Sequence, residues 1–112
     1  MPGQYVLDEH GEPRLEPDLY TWAGWFERDE RRVVREQRWT RDNGDEVMVS
    51  TVFLGLDHGW MGGPPVLWET MGFVNDESLE QDRYTSRTDA IAGHQRMVRA
   101  MDGPVIEDAE VL

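Results

Sequence analysis

The chain of 112 residues contains no cysteine and no lysine. Without cysteine, neither disulfides nor thiolate chemistry can contribute. Every basic residue is therefore an arginine, eleven in all. Arginine suits bidentate recognition of anions, although a GC-rich coding sequence produces the same bias. Long hydrophobic runs are missing as well. The longest fall far short of the roughly 20 apolar residues of a membrane span, and no basic stretch leads into an apolar one at the N-terminus. A soluble cytosolic protein with no membrane partner is expected. The length leaves room for one domain with one modest core, and five Trp, three Tyr and three Phe supply large buried areas to it.

Acids outnumber bases, for a formal net charge of −12, and their placement matters more than the total. Residues 1–18 carry five acids against Arg14. Asp76, Glu77, Glu80 and Asp82 form a second group without a base, and Asp102, Glu107, Asp108 and Glu110 a third. Residues 27–41 are the exception, with six arginines against four acids. Direct binding to nucleic acid is disfavoured, because phosphate recognition needs a basic face. An acidic mimic of nucleic acid is an alternative reading, but terminal acids serve it poorly. Solubility from solvated segments is the simpler account.

Residues 1–17 read as an extended N-terminal arm, with Gln4–Leu7 able to add a short strand before Gly11, Pro13 and Pro17 break regularity. Residues 18–102 form a single domain and 103–112 an acidic flexible tail. Leu19, Trp22, Ala23 and Phe26 recur at helical spacing after Asp18. Val33–Thr40 alternates as a strand, and Asp42–Asn43–Gly44–Asp45 predicts a two-residue type I′ turn into the most β-like segment, Glu46–Leu54. Val66–Val74 makes a third strand, 75–82 an acidic loop, and Arg83–Thr85 a short edge strand. Ser86 to Asp89 resembles a capping box opening a second helix, with Ile91, His94, Val98 and Met101 on its buried side. The expected fold is α+β: an antiparallel sheet of three to five strands, with two helices packed on one face.

Between the second and third strands lies a loop rich in glycine and proline, carrying Asp57, His58 and Trp60. If those strands pair, Thr51, Asp57, His58, Glu69 and Thr70 approach one another near one end of the sheet. A histidine beside two carboxylates could serve as general base, metal ligand or polar anchor. In the plainer reading His58 caps a turn and Glu69 pairs with an arginine from 31–38. No third ligand falls within reach by spacing, so no metal or cofactor is expected. His94 sits on an apolar helix face and reads as packed and hydrogen-bonded. Gly59, Gly62 and Gly63 precede prolines and a strand, whereas a phosphate cradle needs a helix N-terminus. Trp60, between glycines, is the aromatic most open to a ring or a partner protein.

Several of these segments together resemble a known family. They are Tyr5–Val6–Leu7–Asp8, Glu16–Pro17–Asp18–Leu19 with Trp22 and Trp25–Phe26, Ser50 through His58, Gly63–Pro64–Pro65, Glu69–Thr70–Met71, and Arg83–Tyr84 with Gly93–His94. In these the chain is similar to a family of small uncharacterised proteins encoded by bacteriophages and prophages. The resemblance implies a phage accessory protein in the cytoplasm of a bacterial host. Three functions follow as expectations. The first is a non-catalytic binding protein, such as a counter-defence factor, that takes a host protein or small ligand and forms a homo-oligomer over its surplus aromatics. The second is a small hydrolase or transferase using Asp57, His58 and Glu69. The third is the acidic mimic. For the binding reading the site comprises Thr51, Asp57, His58, Trp60, Glu69 and Thr70.

Overall fold

The computed structural model describes residues 3–60 and 62–104. Within them the fold is α+β, with two antiparallel sheets and two α-helices. β1 (Tyr5–Leu7) and β2 (Pro13–Leu15) make a two-stranded hairpin, with Tyr5 opposite Leu15. Val6 and Leu7 are buried, so the segment read as an arm contributes to the core. Most of the tail, residues 105–112, lies outside the described residues.

α1 (Leu19–Arg28) starts where Asp18 ends the extended backbone. The Asp18 carboxylate accepts from the Tyr20 amide and from the Thr21 hydroxyl, satisfying donors that the first turn leaves free. Trp22 and Phe26, one turn apart, stack with centroids 5.0 Å apart. After a 3₁₀ turn at Glu30–Arg32 come β3 (Val33–Thr40), β4 (Glu46–Phe53), β5 (Trp68–Val74) and β6 (Glu77–Tyr84). They form one sheet in chain order, every pair antiparallel.

The β3–β4 and β5–β6 turns differ from expectation. Between β3 and β4, the Arg41 amide donates to Asp45 O and the Gly44 amide to Arg41 O, and of the central residues only Gly44 has positive φ. That is a three-residue loop with a glycine bulge, because Asn43 spends its side chain on Asp45 and does not enter the left-handed region. The two-residue turn with both centres left-handed falls instead at Asn75 (φ 50°) and Asp76 (φ 67°). It turns the expected acidic loop into β6, an eight-residue edge strand.

α2 (Arg87–Ala100) opens on Ser86, whose hydroxyl accepts from the Asp89 amide, as the capping box predicts. It closes with the Gly103 amide on Val98 O and the Asp102 amide on Arg99 O, Asp102 taking the left-handed position. The helix lies across the four-stranded sheet, touching all its strands. α1 packs against β1, and its Trp25 also reaches the core beneath the four-stranded sheet.

Strand alternation divides the sheet into two unlike faces. Val47, Val49, Thr51 and Phe53 of β4 are buried under α2, while Met48, Ser50 and Val52 on the other face are half-exposed. Two apolar groups fill the covered side. One joins Leu7, Phe53, Leu67, Trp68 and Ala90; the other joins Val47, Val49, Met97, Val98 and Met101. Edge-to-face contacts run from Trp25 to Phe53 (5.8 Å) and from Phe53 to Trp68 (5.4 Å). Gly55, at φ +74°, lets the chain leave β4 beneath α1, where a Cβ would come 2.9 Å from the Phe26 ring.

Candidate functional site

The candidate residues occupy three separate environments. Thr51 and Thr70 are directly opposed on β4 and β5, and both are buried beneath α2. Their hydroxyl oxygens are 2.6 Å apart. Thr51 Oγ1 is also 2.7 Å from His94 Nδ1, and His94 Nε2 lies 2.7 Å from Gln37 Oε1.

The directions of these bonds follow from the last partner. Gln37 Nε2 donates to Pro104 O, and Gln37 Oε1 already accepts from Arg35 Nε. The same oxygen therefore accepts from His94 Nε2–H, which leaves Nδ1 as the acceptor of a neutral ring. Thr51 spends its one hydrogen on Nδ1, so Thr70 donates to Thr51. Burial, and then the positive charge of Arg35, pushes the imidazole pKa down to about 4. A threonine hydroxyl donating to histidine has the local form of an activated nucleophile. Here, however, Thr51, Thr70 and His94 are all fully shielded from solvent, so no substrate reaches the hydroxyls.

Glu69 immediately precedes Thr70 on β5 and so projects from the opposite face of the sheet. Its carboxylate accepts from Arg83 Nε at 2.9 Å, across the β5–β6 pair. The arginine partner thus comes from β6, and not from 31–38, because β6 is the strand beside it.

Asp57, His58 and Trp60 remain in the loop between β4 and β5. Asp57 Oδ1 accepts from the Gly59 amide at 2.8 Å and from the Val66 amide at 2.9 Å. These two bonds, Val66 first, hold the carboxyl below the usual carboxylate range. The His58 amide donates to Val66 O, and the Asp57 amide to Gly3 O. One carboxylate therefore ties both ends of the 57–66 loop together while its root is fastened to the N-terminal segment. The His58 side chain is exposed. Trp60 is 86% exposed, whereas Trp68 is buried and Trp22, Trp25 and Trp39 are half-buried.

Residues that sequence reasoning passed over complete the picture. Gln37 and Arg35 terminate the buried chain, and only the folded sheet brings them to His94. Arg31 binds Asp29 through Nε and Nη2 and donates to Leu7 O and Asp8 O, clamping the β1–β2 hairpin to the start of β3. It borders a groove of about 680 Å³ between the hairpin tip and the start of α2. The Arg31 guanidinium is committed to that clamp, while Arg87 lines the groove from the start of α2. Among the described residues, no group of three His, Asp or Glu side chains could hold a metal ion, and no helix is long and apolar enough to cross a membrane.

Comparison with protein-family models, curated proteins and solved structures finds no match to this chain.

Proposed function

We propose that this is a non-catalytic binding protein that engages a protein partner through the 57–66 loop, with Trp60 as the anchor. The observation that carries the reading is an indole 86% exposed on a loop whose base is closed by the two amide bonds to Asp57. Leaving so large an apolar ring in water is unfavourable, and a tryptophan, with two rotatable side-chain angles, loses little entropy when a partner buries it. Tryptophan seated in a partner's pocket is a frequent energetic centre of protein interfaces. Protein is favoured over nucleic acid as the partner because the chain is strongly acidic and the loop has no arginine. The resemblance to phage proteins supplies the setting: an accessory factor in the cytoplasm of a bacterial host, acting on a host protein. A hydrolase or transferase built on Asp57, His58 and Glu69 is disfavoured because two backbone amides occupy the Asp57 carboxylate and Arg83 occupies that of Glu69.

Affinity capture from bacterial lysate tests the reading with three forms of the protein: wild type, Trp60→Ala and Tyr20→Ala. Tyr20 is equally exposed but lies on α1. A partner held by wild type and by Tyr20→Ala should be weakened about 30-fold or more by Trp60→Ala, the range of an interface centre. Equal retention by Trp60→Ala would remove the loop from consideration.

A further inference from the structure

The four-stranded sheet has two edges, and they carry opposite charge. At one, β3 holds Arg35 and Arg38 against Glu36, which lies 3.7 Å from Arg38, while in its flanks Arg31 is paired with Asp29 and Arg41 with Asp45. At the other, β6 and its turn hold Asp76, Glu77, Glu80 and Asp82 against Arg83, whose guanidinium already rests on Glu69. Both edge strands are eight residues long, and β6 is exposed from Glu77 through Arg83. Among the described residues, no backbone hydrogen bond from another element covers the outer side of Val34–Thr40 or of Glu77–Arg83. Open edges of this kind are templates for another strand.

We propose that copies of this protein associate head to tail, with β6 of one copy adding to β3 of the next. Strand direction permits it. All neighbours in the sheet are antiparallel, so β3 and β6 run oppositely. A second copy carried across the sheet without rotation therefore sets its β3 antiparallel to β6, and the alternation continues.

Charge selects this pairing over the two symmetric ones. Pairing β6 with β6 would crowd Glu80 and Asp82 against their own copies, and pairing β3 with β3 would do the same to Arg35 and Arg38. Like charges opposed across strands are destabilising, and opposite charges are favourable. Asp82 lies opposite Thr70, and Arg35 opposite Thr51, so both belong to the helix-covered face. One register accordingly sets Asp82 against Arg35 of the next copy, with Arg83 diagonal to that copy's Glu36. The irregularity in the β5–β6 pairing at Gly72/Phe73 leaves Leu79 unpaired and confines regular pairing to Glu80–Tyr84, so the contact is short and sensitive to salt. It is also a heterologous contact, which repeats instead of closing on itself in pairs.

Sedimentation velocity over a range of concentrations at low and high salt tests the proposal. Wild type should grow past a dimer as concentration rises at low salt, and return toward monomer at high salt. Arg38→Glu reverses a charge on the β3 edge and Glu80→Arg with Asp82→Arg reverses the β6 edge, all at exposed positions. Each variant, with unchanged circular dichroism and melting, should associate about tenfold or more weakly. Mixing the two should restore association at one junction, where the unaltered acidic β6 edge of Arg38→Glu meets the unaltered β3 edge of the other variant, and so give a dimer of unlike copies. Wild type that stays monomeric at low salt overturns the proposal, as does wild-type assembly that stops at a dimer or assembly that persists in both variants. An arginine-rich strand peptide that binds a protein showing no self-association would also overturn it, giving the β6 edge to a foreign strand.

Discussion

Two parts of this molecule hold the same kinds of functional group and use them in opposite ways. Beneath α2, the polar groups of Thr70, Thr51, His94 and Gln37 satisfy one another in a line, the first three sealed from water. In the 57–66 loop, Asp57 satisfies only its own backbone, while His58 and Trp60 face solvent. The first arrangement makes polar side chains into structure. The second spends one carboxylate to hold an apolar ring outside the core. Reactive-looking residue types therefore say little until burial is known: the more enzyme-like of the two regions is the one no substrate can enter.

The largest effect expected from breaking this contrast is His94→Ala. It removes a buried ring, leaves the Thr51 hydroxyl hydrogen without its acceptor and takes from Gln37 Oε1 one of its two donors, at a cost of about 3–5 kcal/mol in urea unfolding. His58→Ala should change stability by less than about 0.5 kcal/mol. Equal losses from the two would erase the distinction.

Acid should separate the regions next. The folded pKa of His94, about 4, lies below the ordinary value of 6.5. The unfolded chain therefore binds the proton first, and stability falls as pH drops from about 6.5 toward 4. The slope approaches 1.4 kcal/mol per pH unit, for a total of about 3 kcal/mol. Asp29 adds a loss in the same direction but a lower window. Its folded pKa, lowered to about 2 chiefly by Arg31, means that its contribution disappears only as pH falls below about 3.8 toward 2. Denaturant midpoints measured across pH should show the upper step in wild type and not in His94→Gln.

Smallest of all should be the effects of the loop on global stability. Asp57→Ala is expected to cost about 1–2 kcal/mol and to abolish hydrogen-exchange protection at the Gly59 and Val66 amides. Trp60→Ala should leave both stability and that protection unchanged. A marked loss of stability from Trp60→Ala would mean that the ring packs in solution, and the contrast would fail there.

Much of the architecture was legible from local pattern. Asp18 and Ser86 marked helix starts because capping is a local act, and β4 was marked by its run of Val and Thr. β6 was hidden because Glu77, Glu80, Gln81 and Asp82 have poor strand propensity; the Asn75–Asp76 turn and the pairing with β5 override it. The candidate residues are grouped in the sequence by proximity along the chain. The pleat separates Glu69 from Thr70 at the first step, since adjacent strand residues face opposite ways. The link from Thr51 to His94 spans 43 residues and that from His94 to Gln37 spans 57. No local pattern carries such links, because they arise only when α2 settles on the finished sheet.

How α2 settles has its own cause. Gly93 is buried against the Tyr84 hydroxyl so closely that any Cβ there would overlap it. Successive residues of a helix advance by about 1.5 Å, so sliding α2 by one position would drive the Ala92 methyl or the His94 ring into that oxygen. The contact acts as a mechanical stop, indexing the helix along its axis as a pin indexes a shaft. His94 stands over Thr51 because of a glycine that touches neither the hydroxyl chain nor the loop.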